Sequence, residues 1–344
     1  MRLLAIDVGA GTQDVLLYDA REPVENSLQL VLPSPTVIVA RRIRRATAEG
    51  RNVFLTGRVM GGGASTRALR EHLRAGLRAA ATEEAARTFH DDIDRVREMG
   101  VEILAERPGE EWAVIETGDV DVRALLGTLE AFEVEPPDLW AVAVQDHGFC
   151  PSGSNRLVRF ERWRRFLASG GMLPDLLYRE APAELTRMRA VQEVLPGAFV
   201  MDTGAAAILG ALCDPVAAAE LERGLVVVNV GNGHTLAALV RGRRVTALFE
   251  HHTSALTGER LAHYVSRLRD GSLTHEEVFG SGGHGCTLPD HPHDGGEYRT
   301  VVVTGPNRGL ARGLGYHEAA PYGDMMLSGC FGLVEAVKLN LPGG

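Results

Sequence analysis

Lysine occurs once in the chain, as Lys338, and Leu339 follows it. A phosphate loop of the Gly-Lys-Ser/Thr type is therefore excluded, and so is the lysine-dependent set of a protein kinase. Phosphate, if bound, must be held by backbone N–H groups, arginine or a metal. Cysteine is also scarce. Cys150, Cys213, Cys286 and Cys330 lie far apart with no C-x-x-C pair, so local spacing offers neither a zinc ribbon nor an iron–sulfur loop. Scattered thiols suit a reducing, cytoplasmic setting. No apolar run approaches the roughly 18 residues of a spanning helix, and Asp7 stops the N-terminal apolar run too early for a signal peptide. The expectation is a cytoplasmic protein without a membrane partner. Net charge is -9, which argues against general nucleic-acid binding, because phosphate backbones need a positive face. Arginines cluster at 41–45 and 159–165, and both clusters read as solvated surface.

What is present points to a folded α/β protein. With 344 residues, 45% hydrophobic and 24% charged, the chain can build a large core and two domains of ordinary size. Strand-like runs fall at 37–44, 112–116, 139–144 and 298–304. Helical patterns fall at 66–81, 83–99, 121–131, 156–169, 203–213, 256–268 and 325–339. Strands alternating with helices give the α/β class.

The organising feature is an internal repeat. Residues 3–18 read LLAIDVGAGTQDVLLY and residues 225–240 read LVVVNVGNGHTLAALV. They align without a gap at an offset of 222, as from Asp7 to Asn229. Each copy is a buried-type strand, a Gly-x-Gly turn and a second strand. Glycines allow positive φ and the close approach of a ligand to the backbone. Successive N–H groups can then form an anion nest, here at Gly9, Gly11 and Thr12 and again at Gly231, Asn232, Gly233, His234 and Thr235. Asp7, at a strand end, can hold Mg²⁺ directly or through water. The plainer alternative is two hairpins whose glycines serve only geometry.

Other candidates stand beside this one. Residues 56–66 run a glycine-rich loop into a helix start, a second place for an anion, or an ordinary cap. Asp146 and His147 end a strand, where open α/β sheets bind ligands. Asp146 could accept a substrate proton, or it could simply cap a turn. His284, Cys286, Asp290, His291, His293 and Asp294 crowd one loop. Their spacing fits no standard zinc pattern, so a solvated, metal-free loop is expected. The pair His251-His252 follows a strand and is less informative.

The motif Asp7-x-Gly9-x-Gly11-Thr12-x-Asp14 resembles the first phosphate motif of the actin-like ATPase superfamily, which includes actin, heat-shock chaperones and sugar kinases. Asn229-x-Gly231-Asn232-Gly233-His234-Thr235 resembles the second. Residues 202–208 are similar to a first connecting helix, 301–308 to an adenosine motif with Gly305 and Asn307, and 328–333 to a second connecting helix. Residues 145–148 resemble a strand-end loop of carbohydrate kinases. The chain as a whole resembles a family carrying the legacy label "putative pyruvate formate-lyase activating enzyme". That label implies iron–sulfur radical chemistry, whose C-x-x-x-C-x-x-C motif is absent here.

The resemblance implies two ribonuclease H-like lobes around a nucleotide cleft. Residues 1–204 with a closing helix at 324–340 form one lobe and residues 205–323 the other. It further implies ATP and Mg²⁺ as ligands, a small molecule as partner, and Asp7 and Asp146 as catalytic residues. The expected activity is phosphoryl transfer to that small molecule or slow ATP hydrolysis. Asn229 stands where the second motif usually has Asp, and an amide is a poor base. A non-catalytic nucleotide sensor is therefore the alternative.

Overall fold

The computed structural model describes residues 1–288 and 295–341. The chain opens with an antiparallel hairpin of β1 (Arg2–Val8) and β2 (Thr12–Asp19), extended by β3 (Leu28–Pro33). Leu3, Leu4, Ala5 and Ile6 are all buried, the continuous apolar run of a strand covered on both faces. The chain then leaves this sheet through α1 (Pro35–Ala48), β4 (Val53–Gly57), α2 (Ala64–Arg74), β5 (Ala79–Ala81), α3 (Glu83–Ala86), α4 (Ile93–Glu98), β6 (Val101–Ile103), β7 (Ala113–Thr117) and α5 (Val122–Ala131). Strands β4 to β7 form a separate parallel sheet in the order β6-β5-β4-β7. The chain returns with β8 (Leu139–Val144), α6 (Asn155–Ala168), α7 (Thr186–Val194) and β9 (Phe199–Asp202). The first sheet is thus β3-β2-β1-β8-β9.

The second half follows with α8 (Thr203–Ala211), α9 (Pro215–Glu220), β10 (Leu225–Val230), β11 (His234–Arg241), β12 (Arg244–His252), α10 (Gly258–Arg269), α11 (His275–Gly280), β13 (Gly285–Thr287), β14 (Thr300–Thr304), β15 (His317–Glu318) and α12 (Ser328–Asn340). Its sheet is β13-β12-β11-β10-β14-β15. The stretch β12-β11-β10-β14-β15 repeats β3-β2-β1-β8-β9 strand for strand. In both, the first strand pairs antiparallel with the second and parallel with the fourth. Register repeats as well. Asp7 pairs with Asp14 and Val8 with Gln13, while Asn229 pairs with Leu236 and Val230 with Thr235. The sequence offset is therefore also a structural one. The architecture is α/β, with two lobes whose sheets share one five-stranded topology. Among the described residues no helix is long and apolar enough to cross a membrane.

Three local expectations are corrected. Residues 37–44 form the middle of α1, not a strand: Thr36, Val39, Ala40, Ile43 and Ala46 are buried on one face, and Pro35 sits in the first turn. Valine and isoleucine gave the strand signal, and helical spacing decided the outcome. The helical stretch at 66–81 ends at Arg74 and yields to β5. The stretch at 83–99 breaks into α3 and α4, each opened by its own side-chain cap, Thr82 and Asp92. In the four-stranded sheet carried within residues 1–204, the strand expected at 112–116 is β7, and the other three strands were not expected.

Helices α8 and α12 cross between the two main sheets, backbone against backbone. A Cβ on Gly332 would lie 1.8 Å from the Ala206 carbonyl oxygen, and one on Gly210 would lie 1.7 Å from that of Ser328. Only glycine permits this approach. Gly332→Ala is expected to cost about 1–3 kcal/mol through overpacking. Gly127→Ala, on exposed α5 with open space around it, is expected to gain about 0.5–1 kcal/mol. Denaturant unfolding of both variants checks this, and equal midpoints would contradict the close crossing.

Candidate functional site

The two glycine turns have the same construction. Gly9 N–H donates to the Thr12 carbonyl at 2.9 Å, and Gly231 N–H donates to the His234 carbonyl at 2.9 Å. None of Gly9, Gly11, Gly231 and Gly233 has positive φ, so the expected conformational reason for these glycines is corrected to a steric one. A Cβ on Gly11 would meet the Asn232 side-chain amide at 2.4 Å, and one on Gly233 would sit 3.6 Å from Ala10 Cβ. The turns therefore touch tip to tip across the lobes. Ser34 N–H and Oγ take the carbonyls of Gly11 and Ala10 at 3.1 Å each. Among the described residues, the N–H groups of Ala10, Gly11, Asn232 and Gly233 have no protein acceptor. Four free amides thus gather where the lobes meet.

Beside the turns opens a cavity of about 510 Å³. Its wall is drawn from Gly9 and Ala10, the glycine-rich loop at 59–63, residues 87–91, residues 145–148, and Asn229 with residues 231–234. Helix α6 supplies its main charge. Arg159 is only 3% exposed. Its Nε donates to both Glu250 oxygens (2.9 and 2.7 Å), and Nη1 donates to Asp202 Oδ2 (2.8 Å) and the Asp146 carbonyl (3.1 Å). Gln145 and Trp163 complete the shell of Glu250 at 3.1 Å each. Burial opposes the charge on Glu250, yet Arg159 holds its carboxyl well below the usual range. Arg159 is thus a correction: it belongs to the interior, whereas Arg41, Arg42, Arg44 and Arg45 are exposed. A second pair, Arg187 with the buried Asp119 at 2.6 Å, backs the glycine-rich loop.

Four imidazoles crowd the same region. His147, His234 and His284 offer nitrogens that all lie within 4.8 Å of one another. The His252 ring lies 4.8 Å, centroid to centroid, from those of His234 and His284. Burial pushes His234 down to about 4 and His284 to about 3, and holds His147 well below its ordinary value. All three are neutral imidazoles at pH 7. His284 is 1% exposed and Cys286 is buried, so the expectation of a solvated loop is corrected for these two. Asp290, His291, His293 and Asp294 lie outside the described residues.

The other sequence candidates distribute as follows. Gly9, Asp146, Asn229, Gly231, Asn232, Gly233 and His234 line the cavity. Asp146 spends its carboxylate on backbone: Gly148 N–H (2.8 Å), Arg187 N–H (2.9 Å) and Met188 N–H (3.0 Å). It ties the end of β8 to the first turn of α7. Thr12 Oγ1 donates to Asp14, and Thr235 Oγ1 pairs with Thr253. Asn307 Nδ2 donates to the Gly231 carbonyl and to Asn232 Oδ1. Gly305 packs against Val230 and Asn229 Oδ1. Asp7 points toward α12, where Gly329 leaves room for it, and accepts from Thr203 at 2.5 Å. Burial raises Asp7 to about 7, and burial with the Asp7 charge raises Asp14 to about 8. Sequence reasoning missed Arg159, Arg187, Asp119 and Glu250. Their partners come from separate elements, so no local motif announced them.

A family model described as "Putative pyruvate format-lyase activating enzyme (DUF1786)" matches residues 60–310, well over half of the chain. No curated protein matches. Solved structures similar to the chain include an exopolyphosphatase-like protein at 11% identity and TM-score 0.30. That match covers 88% of this chain and 65% of the other, so this chain spans less than two thirds of its length. A ROK family glucokinase from Streptomyces griseus, in complex with glucose and AMPPNP, matches at 10% identity and TM-score 0.35, covering 98% and 99%. A PilM–PilN type IV pilus biogenesis complex matches at 13% identity and TM-score 0.37, covering 99% of each chain.

The buried Asp14 carboxyl has a stability consequence. Its folded pKa lies above the unfolded value, so folding favours the protonated form. That contribution is full below about pH 4 and is lost as pH rises toward about 8. In EDTA, Asp14→Asn is expected to flatten the fall in stability between pH 4 and pH 8 relative to wild type. Unfolding midpoints across that range check it. Parallel curves for the two proteins would show that Asp14 is ionised throughout.

Proposed function

We propose that this chain, which belongs to the family described as "Putative pyruvate format-lyase activating enzyme (DUF1786)", binds ATP with its phosphates on the two glycine turns. One observation carries the reading: four backbone amides without protein acceptors converge from two lobes of the same topology. Oriented amides in concave turns are an anion site that needs no lysine, and the chain has no lysine near either turn. Asn232 now packs against Gly11 and is fixed by Asn307. Phosphate entry displaces its side chain, so binding is coupled to a small parting of the lobes. The base lies toward Gly305 and Asn307, beside the second turn.

Mg²⁺ fits this placement. Asp7 and Asp14 face each other across the first hairpin, and Asp14 Oδ1 is buried without a partner. Two neighbouring carboxylates are a hard oxygen donor set. Asp7 and Asp14 would hold the ion, which supplies charge neutralisation for phosphate oxygens. The chain's own contribution is to orient the phosphates through the turns and to shape the cavity for an acceptor. Asp146 serves there as a positioning residue, since its oxygens cap backbone. Phosphoryl transfer to a small polar molecule in the cavity, or slow hydrolysis, follows from this arrangement. Asn229 adds no charge at the second turn, which favours slow turnover and keeps a nucleotide sensor as the second reading.

Calorimetry with ATP and Mg²⁺ tests the assignment, using Gly11→Val and Gly233→Val. Each variant narrows the approach to the amides. Each is expected to weaken ATP binding at least about tenfold, near 1.4 kcal/mol, while its unfolding midpoint stays close to wild type. Unchanged affinity in both would remove the turns from the binding site.

A further inference from the structure

The geometry points to a transition-metal site formed by His147, His234 and His284, bound to one divalent cation of the zinc type. The three come from separate parts of the chain: the loop after β8, the first residue of β11, and the residue before β13. Strand pairing brings them together. His234 faces His252 across β11 and β12, and His284 N–H donates to the Glu250 carbonyl beside them. The ring centroids lie 5.7 Å (His147 to His234), 5.5 Å (His147 to His284) and 4.8 Å (His234 to His284) apart.

The nitrogens are where a polar interior would be most costly. Both ring nitrogens of His284 and Nε2 of His234 are buried without a hydrogen-bond partner. A neutral imidazole has one N–H to donate and one lone pair to offer, and leaving such groups unmet in a buried site is destabilising. A cation accepting one lone pair from each ring meets one nitrogen of His284 and leaves its other nitrogen as an N–H donor. Nitrogen distances within 4.8 Å close onto one ion with small side-chain rotations, since zinc takes imidazole nitrogen at about 2.0–2.1 Å. Three imidazoles without a thiolate or a hard oxygen suit zinc, cobalt, nickel or copper better than magnesium. Glu250, held by Arg159, Gln145 and Trp163, supplies fixed negative charge behind the rings. His147 and His234 line the cavity, so a fourth coordination position faces it, open to water or an anionic oxygen. Three protein ligands with one open position is the pattern of catalytic rather than purely structural zinc. The site is independent of the nucleotide reading: its ligands would bind metal whether or not ATP binds.

The test uses the full chain made without a histidine tag, stripped with a chelator and titrated with Zn²⁺ and with Co²⁺. Wild type and the exposed-site control His263→Ala are expected to bind one ion per chain. Bound Co²⁺ should show the intense visible absorption of a tetrahedral nitrogen site. His147→Ala, His234→Ala and His284→Ala should each lose more than about 100-fold in affinity, beyond the 10–100-fold typical of outer-shell changes. Failure of apo wild type to bind either ion would overturn the site. So would affinity within tenfold of wild type in all three variants. Should His284→Ala fail to fold, the two cavity-facing variants and the wild-type cobalt spectrum decide alone.

Discussion

A single buried guanidinium holds the two halves of the molecule in relation. Arg159 reaches Asp202, which ends β9 and caps α8 in the first lobe, and Glu250, which lies on β12 in the second. Breaking such a buried arrangement by removing one partner typically costs about 3–5 kcal/mol, because the remaining charges are left without compensation. The position of Glu250 fixes β12, and β12 places His252 and, through its pairing with β13, His284. Asp202 fixes the start of α8, and with it Thr203, which holds Asp7. Both sides of the cleft are therefore anchored to one arginine.

On this frame the duplication becomes a division of labour. The two turns share their hydrogen-bonding pattern and their free amides, but the residues around them differ. The first copy carries the facing pair Asp7 and Asp14; the second has Asn229 and Leu236 at the matched positions. The second copy carries His234 where the first has Thr12. The first turn is thus flanked by two carboxylates and the second by an imidazole, while His147 reaches that imidazole from the first half.

The hairpins were legible in the sequence because the same Gly-x-Gly spacing recurs between matching apolar runs at one offset, and the close contact of the two turns requires small residues there. The helix crossing was legible for the same reason: the small residues of 203–211 and 328–332 allow backbones to touch. Of the inserted sheet only β7 was legible, as the strand-like run at 112–116. Its strand β5 is Ala79–Ala81, three residues with no β-branched or aromatic signal. Its first helix carries valine and isoleucine, which read as strand until their helical spacing on a buried face decides. The histidine cluster was hidden for a different reason. Its members are separated by 87 and 50 positions, as from His147 to His234 and from His234 to His284, and only strand pairing makes them neighbours. Reading His284 with its local companions suggested a solvated loop; the fold instead buries it against residues from two other elements.

The central claim is that the paired turns are the phosphate site. The most direct measurement is a crystal structure with a non-hydrolysable ATP analogue and Mg²⁺. The account predicts phosphate oxygens accepting from the N–H groups of Ala10, Gly11, Asn232 and Gly233, with the Asn232 side chain displaced from Gly11. A triphosphate held elsewhere in the cleft, with the two turns still in contact, would contradict it.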